Sequence, residues 1–540
     1  MTPPAADRPA RWVGAGLALL AAGCGLLALA FGQDASWDLR NYHYYNGYAL
    51  PAGRFGHDLL VAQLPSFFNP ALDVAYYALT EVLPGRGVAF VLGCVQGLNA
   101  VPLFVIARAL LAAELPRRDA LALALAAAGL GGAIALSELG TTFHDNVISL
   151  GILGALALLA AGWGDLAAGP RGLVRTLAAG GLLGLAFALK QTQVLFVLGA
   201  GLALLLTVPA RPGRRLLLGL AGTTGVLAGA AAGGGWWLLR LWHAYGNPLF
   251  PFYNHVFRSP WALAQSYRDP GFLPGEPGLF EALGFPLRFT LDPRLAAEAT
   301  FTDHRLLALY LLLPLAFGVF AWRRRPTPPV RVRPLVWLAL ALAIAYALWL
   351  ALFRIYRYLL PLEMLAPTLL VAALGLLLGR GRAWALASTA LLAALLATTR
   401  PPDWLREPFA AHAIEVRLPA PLPLGTGAVV LLAGHEPLSF LLPALPRDWR
   451  FLRIDSTFTH PGEDAVAFNP LMRRLVAAQR GPLGALFIET ERHEMLKKLA
   501  EYGLALDAAG CRPLTANIGA GAYALCPVHR PDDPATETGR

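Results

Sequence analysis

The residues best suited to chemistry fall in four short segments. The densest runs from Ser36 to Asn46, where Asp38, Arg40, Tyr42 and His43 alternate with further aromatic rings and two Asn. A carboxylate with hydroxyl, imidazole and amide neighbours can orient a sugar hydroxyl and accept its proton. An interfacial aromatic belt also explains the rings, but it needs no Asp, His and Asn among them. A second acidic cluster contains Glu138, His144 and Asp145. A solvated turn with a capping Asp or Asn accounts for it equally well. His144 and Asp145 have metal-ligand chemistry, yet adjacent residues on a turn are a weak signature and His43 would have to be recruited from afar. The metal is therefore unknown: no motif demands a cofactor, and a divalent ion stays open.

The other two segments are cationic. The stretch 176–210 carries one charge, Lys190. A cation at the end of two apolar helices favours an anionic partner such as a phosphate, with snorkelling to the interface as the plain alternative. Arg354, Arg357 and Tyr358 are followed by Glu363. Arginine forks suit bidentate phosphate contact, and pairing of one Arg with Glu363 is the plainer role.

The elements that position these residues are membrane helices. Of 540 residues, 56% are hydrophobic and 14% charged, against about 25% charged in a soluble domain. Spans of roughly 20 apolar residues are expected at 12–31, 88–111, 121–137, 147–164, 176–189, 194–210, 216–239, 306–322, 335–353, 360–379 and 383–398. The split at Lys190 follows because 176–210 is too long for one crossing. The fold class is thus an α-helical polytopic membrane protein of about 11 transmembrane helices, with a small C-terminal extracytoplasmic α/β domain. The run 12–31, preceded by Arg8 and Arg11, exceeds a secretory h-region and reads as a retained first helix.

With a cytoplasmic N-terminus, the inside loops hold Arg117 and Arg118, Arg171 and Arg175, Arg211 to Arg215, Arg323 to Arg333, and Arg380 with Arg382. This is the positive-inside bias, and it absorbs the formal charge of +10 without a nucleic-acid partner. Arg354 and Arg357 are the exception, falling outside. The transmembrane region is expected over 1–399, with outer loops at 32–87, 138–146, 240–305 and 354–359. Within the first loop, 69–84 reads as an interfacial amphipathic helix with Asp73 and Glu81 off its apolar face. Residues 400–540 read as the soluble α/β domain, because short apolar runs at 428–433, 451–454, 485–488 and 522–525 alternate with helical stretches at 470–479 and 493–502. Cys511 and Cys526 lie in that region, and an oxidising compartment favours a disulfide between them over two buried thiols. The chain shows no P-loop, GxGxxG context, zinc spacing or GxSxG elbow.

The arrangement resembles the GT-C superfamily of membrane glycosyltransferases, which includes the protein mannosyltransferases and the lipid A aminoarabinose transferases. The resemblance rests on Asp38 after span one, on Asn69 to Tyr77 before span two and on Glu138 to Asp145 in a second outer loop. It rests further on Gly184-Leu185-Ala186 leading to Lys190, and on Arg357-Tyr358 leading to Pro361. It covers about the first 380 residues as topology. It implies sugar transfer from a polyprenyl-phosphate donor to a lipid, glycan or protein hydroxyl at the extracytoplasmic face, in a bacterial inner membrane and with inversion. Asp38 is then the base, Lys190 with Arg354 or Arg357 holds the phosphate, and Asp145 positions the acceptor. Arg40, Tyr42, His43, Glu138, His144 and Tyr358 complete the substrate contacts. The alternatives are a transporter or flippase for a lipid-linked substrate and a glycan polymerase or ligase. Against the transporter stands the lack of a convincing repeat between halves.

Overall fold

Long Ala- and Leu-rich stretches make the protein mostly helical, and its C-terminal part adds a small sheet. The computed structural model describes residues 9–267, 269, 271–273, 275, 278–323, 328–519 and 521–531; Arg8, Arg324 and Arg325 of the expected basic flanks lie outside these. The chain divides into two units. One comprises Met1–Phe31, Ala89–Gly235 and Arg268–Trp404; the other comprises Gly32–Val88, Trp236–Tyr267 and Leu405–Arg540.

Among the described residues, seven helices are long and apolar enough to cross a membrane: Trp12–Phe31, Gly85–Leu110, Pro170–Leu189, Pro212–Tyr245, Arg305–Arg323, Val332–Leu352 and Tyr356–Leu378. Three shorter apolar helices are Asp145–Ala161, Gln191–Thr207 and Arg382–Thr398. The chain leaves helical geometry at Lys190, makes a 3-10 turn over Gln191–Gln193 and resumes as Val194–Thr207. Two glycine seams bring Pro170–Leu189 against Pro212–Ala230. A Cβ on Gly180 or Gly184 would overlap the carbonyl oxygen of Gly222 or Val226, and one on Gly225 or Gly229 that of Leu177 or Gly181. Both helices thus present glycines four residues apart, the small-residue spacing that lets backbones touch where apolar burial gives no drive between helices in lipid.

The expected helix over 121–137 is interrupted. It runs from Arg118–Leu130, stops at Gly131 and Gly132, and restarts as the short helix Ala133–Ser137. The break persists because its backbone groups are satisfied. Asp303 Oδ2 accepts from Ala133 N at 3.0 Å, while Glu363 accepts from Ile134 N at 3.3 Å and Ala135 N at 3.1 Å. Arg305, fully buried and paired with Asp303, donates to Gly131 O at 2.7 Å and Thr399 Oγ1 at 3.0 Å. A side chain at position 132 would collide with Glu363.

A further helix, Leu279–Leu291, packs Phe285 and Phe289 against Trp349 and exposes Leu279, Leu283, Leu287 and Leu291. Its Leu283 carbonyl accepts from Tyr310 Oη at 3.0 Å, on the apolar helix Arg305–Arg323.

The second unit is built on a seven-stranded sheet. Its strand order is Val416–Arg417, Arg512–Ala516, Tyr523–His529, Leu483–Ile488, Val429–Leu432 and Arg450–Arg453, with Ala505–Leu506 also pairing Tyr523–His529. Val429–Leu432 pairs in parallel with both Arg450–Arg453 and Leu483–Ile488, and the other pairings are antiparallel. All four apolar runs read from sequence fall on strands of this sheet: 428–433 and 485–488 on the central strands Val429–Leu432 and Leu483–Ile488, buried throughout, 522–525 on Tyr523–His529, and 451–454 on Arg450–Arg453 at the end of the order; the amphipathic stretches are the helices Phe468–Ala478 and Arg492–Glu501. Cys511 and Cys526 are joined by a disulfide.

Residues 32–88 are folded into this unit. Leu59 exchanges backbone hydrogen bonds with Phe451 at 2.9 Å and Arg453 at 3.0 Å, and Gln33–Asp34 pairs with Arg406–Glu407. Arg54, ion-paired to Asp58, also donates to the carbonyls of Arg447 and Trp449, each at 2.7 Å. The amphipathic segment forms the helix Ala71–Val82, but Asp73 is buried, accepting a contact from His43. Off the apolar face, Asp73 is therefore packed into the unit: burial of a carboxylate requires a partner, and His43 supplies it.

Candidate functional site

Asp145 opens the helix Asp145–Ala161, where the helix dipole favours a carboxylate. Its side chain is 1% exposed and both oxygens face Lys190 Nζ, at 2.7 and 2.8 Å. The break after Leu189 makes this reach possible, since a helical Lys190 would continue the Pro170–Leu189 axis instead. Arg357 comes from the 3-10 turn Tyr356–Leu359. Its Nη1 lies 3.5 Å from Asp145 Oδ2, and its Nη2 donates to Glu298 Oε1 at 2.8 Å. The guanidinium also lies 4.8 Å from the Phe143 ring centre and 5.5 Å from that of Trp404, while Lys190 Nζ sits 4.9 Å over Tyr358. Trp404 is oriented by its Nε1 donating to Ser137 Oγ at 3.0 Å. These cation–π contacts hold both cations against an apolar wall.

Two further acids set the charge balance. Glu138 is fully buried, and among the described residues neither of its oxygens has a hydrogen-bond partner. Burial, reinforced by the negative charge of Asp145, pushes its carboxyl well above the ordinary range, against the opposing pull of Arg357 and Lys190. Glu138 is therefore the acid of the group whose surroundings most favour the neutral form. For Glu298, whose side chain is partly exposed, the partial loss of water raises the carboxyl, but the charge and hydrogen bond of Arg357 outweigh it and leave it below its usual value. Lys190 and Arg357 pair with two carboxylates, Asp145 and Glu298, cation for anion, which brings the cluster close to charge balance.

This places Glu138, Asp145, Lys190, Arg357 and Tyr358 together. His144 is the N-cap residue next to Asp145, half-buried. Lys190 is no uncommitted cation, as a simple phosphate clamp would require, since Asp145 already chelates it. Arg354 stands elsewhere: in a left-handed backbone conformation it donates to Leu350 O at 3.1 Å and Gly275 O at 3.2 Å, and it stacks on Phe285. Its first contact caps the helix Val332–Leu352, a favourable place for a cation. Glu363 accepts from backbone N–H groups as described above, so the pairing of an Arg with it gives way to a backbone clasp.

In the second unit, Asp38 is half-buried and accepts from Tyr42 Oη at 3.2 Å. His43 Nδ1 lies 2.6 Å from Asp73 Oδ1, with both side chains buried. Arg40 is buried and donates to Ala35 O at 3.0 Å. Asp38 and Tyr42 together present a carboxylate–phenol pair that can hold and accept a hydroxyl proton. Sequence reasoning missed Glu298, Phe143 and Trp404, whose roles come from contacts to Arg357 that no local pattern announces. Comparison with known proteins returned no match: no family model, curated protein or solved structure matches this chain.

Proposed function

We propose that the protein is a membrane glycosyltransferase similar to the GT-C superfamily, moving a sugar from a polyprenyl-phosphate donor to a hydroxyl acceptor at the extracytoplasmic face of a bacterial inner membrane. The observation that carries this reading is the meeting of Lys190, Arg357 and Asp145 at breaks between apolar helices. Cations placed there at a cost in desolvation suit the phosphate of an amphiphile. The exposed leucines of Leu279–Leu291 add an apolar surface in the same unit. The four shorter or interrupted helices complete eleven crossings in this proposal; Asp145–Ala161 with 17 residues spans about 25 Å at 1.5 Å per residue.

In the reaction, the acceptor oxygen bonds to the anomeric carbon, the bond from that carbon to the phosphate oxygen breaks, and polyprenyl phosphate leaves with the electron pair. The cationic cluster stabilises the phosphate charge. Asp38 is the base that the resemblance assigns to take the acceptor proton. The test is release of polyprenyl phosphate from polyprenyl-phosphate sugars by the protein in vesicles. Asp38→Asn abolishes release while lipid binding stays near normal; retained turnover in that variant removes Asp38 as the base.

A second reading, transport of a lipid-linked substrate, is favoured by one observation: Glu138 is fully buried with neither carboxyl oxygen hydrogen-bonded among the described residues, a setting that suits a proton carrier in a membrane protein. Movement of intact lipid-linked sugar across vesicles, without release of polyprenyl phosphate, would select it.

A further inference from the structure

Asp145 and Glu298 both hold Arg357, in very different ways. Asp145 is 1% exposed, sits at a helix start and is chelated by Lys190. Glu298 is 40% exposed and lies in irregular chain between the turn Pro293–Leu295 and the helix Arg305–Arg323. The chain beside it is tethered at both ends, by Tyr356 N donating to Ala296 O at 2.7 Å and by Thr302 pairing with Arg400 at 2.9 Å. The Glu298 side chain can therefore swing away without the loop unfolding. Its departure strands no buried carboxylate, because Glu298 is already partly hydrated, and the buried Arg357 keeps Asp145 at 3.5 Å until the phosphate takes the vacated edge. Removing Asp145 from Lys190 would strand a buried carboxylate, at a cost of several kcal/mol.

We infer that Glu298 is an exchangeable internal anion: it occupies the edge of Arg357 that a phosphate group takes, and the incoming phosphate displaces it. This rests on the phosphate reading proposed above and deepens it. The exchange is one charge for one charge. A glycosyl phosphodiester carries a single negative charge, as Glu298 does, so the near-neutral balance around Asp145 and Glu138 is kept when the donor binds. A phosphate monoester approaching two negative charges breaks that balance, which favours its departure and the return of Glu298. The site thus selects a phosphodiester-linked lipid over the monoester it releases.

The test is binding of a polyprenyl-phosphate monosaccharide, and of the neutral polyprenol, to the full-length protein in detergent. Wild type, Glu298→Gln, Glu298→Asp and Arg357→Gln are compared. With the competing carboxylate neutralised, Glu298→Gln should bind the phosphate lipid about tenfold more tightly. Glu298→Asp, which keeps the charge, should stay within about twofold of wild type, and polyprenol binding should not change in any variant. Unchanged or weaker phosphate-lipid binding in Glu298→Gln, or an equal gain for polyprenol, overturns the exchange. If Arg357→Gln still abolishes phosphate-lipid binding in that case, the phosphate reading stands while the exchange falls. If wild type shows no preference for the phosphate lipid over polyprenol, both fall.

Discussion

The Lys190 ammonium holds both oxygens of Asp145, at 2.7 and 2.8 Å, and so ties the break after Leu189 to the start of the helix Asp145–Ala161. An apolar stretch is interrupted at the position of its one charge, and the interruption delivers that charge to a buried acid. The pair is structural and electrostatic at once, because it fixes Asp145 at the place where Arg357 also reaches.

Breaking this pair from either side should not cost the same. Asp145 is 1% exposed and Lys190 20%, so Lys190→Met leaves the more deeply buried charge with only Arg357, at 3.5 Å, to offset it, a loss of up to about 3–5 kcal/mol. Asp145→Asn should cost less, and the double substitution should recover part of the Lys190→Met loss. Thermal unfolding in detergent measures this; strictly additive losses would count against a coupled pair.

The glycine seam makes a sharper steric prediction. Gly184→Ala places a methyl group on the Val226 carbonyl and should destabilise by about 1–3 kcal/mol. Gly181→Ala, whose added carbon has its nearest neighbour at 3.9 Å, is the control and should be nearly neutral. Equal unfolding temperatures for the two variants would show that the helices do not pack through this seam.

Glu138 predicts a pH dependence with a definite sign. Its folded pKa lies above the unfolded value, so the group's contribution is complete at acidic pH and is lost as pH rises through the raised pKa. Glu138→Gln mimics the protonated acid. It should match wild type in unfolding temperature near about pH 5 and exceed it near about pH 9. A variant that is less stable than wild type by the same margin at both values would mean that Glu138 is ionised in the fold.

The Cys511–Cys526 disulfide closes a 15-residue separation, for which loop closure gives about 3 kcal/mol. Replacing both residues by Ser should lower the unfolding temperature by a comparable free energy, and a reductant should do the same to wild type but not to the variant. Insensitivity of wild type to a reductant would place its stability elsewhere.

Much of this was legible in the sequence because it is local. The lone charge of Lys190 marked the break, and the runs at 428–433 and 485–488 marked central strands, since burial on both faces demands unbroken apolar character. Other features were hidden because they are non-local. Hydropathy sees 121–137 as one apolar run; the break at Gly131 and Gly132 is held by Asp303 and Glu363, some 170 and 230 residues downstream. The folding of residues 32–88 onto the sheet rests on pairings such as Leu59 with Leu452, which leave no pattern in either segment. Glu298 was invisible for the same reason, and the helix Leu279–Leu291 was obscured by apolar residues on two faces and an internal Pro286.

The central claim, that the Arg357 and Lys190 cluster receives the phosphate of a lipid-linked sugar, is tested most directly by native mass spectrometry of the detergent-purified protein. A polyprenyl-phosphate sugar and neutral polyprenol are offered at equal concentration to wild type and to Arg357→Gln. The account predicts one bound phosphate lipid per wild-type chain, little polyprenol, and loss of the phosphate lipid in the variant. Equal occupancy by the two lipids, or phosphate-lipid occupancy unchanged in Arg357→Gln, would contradict it.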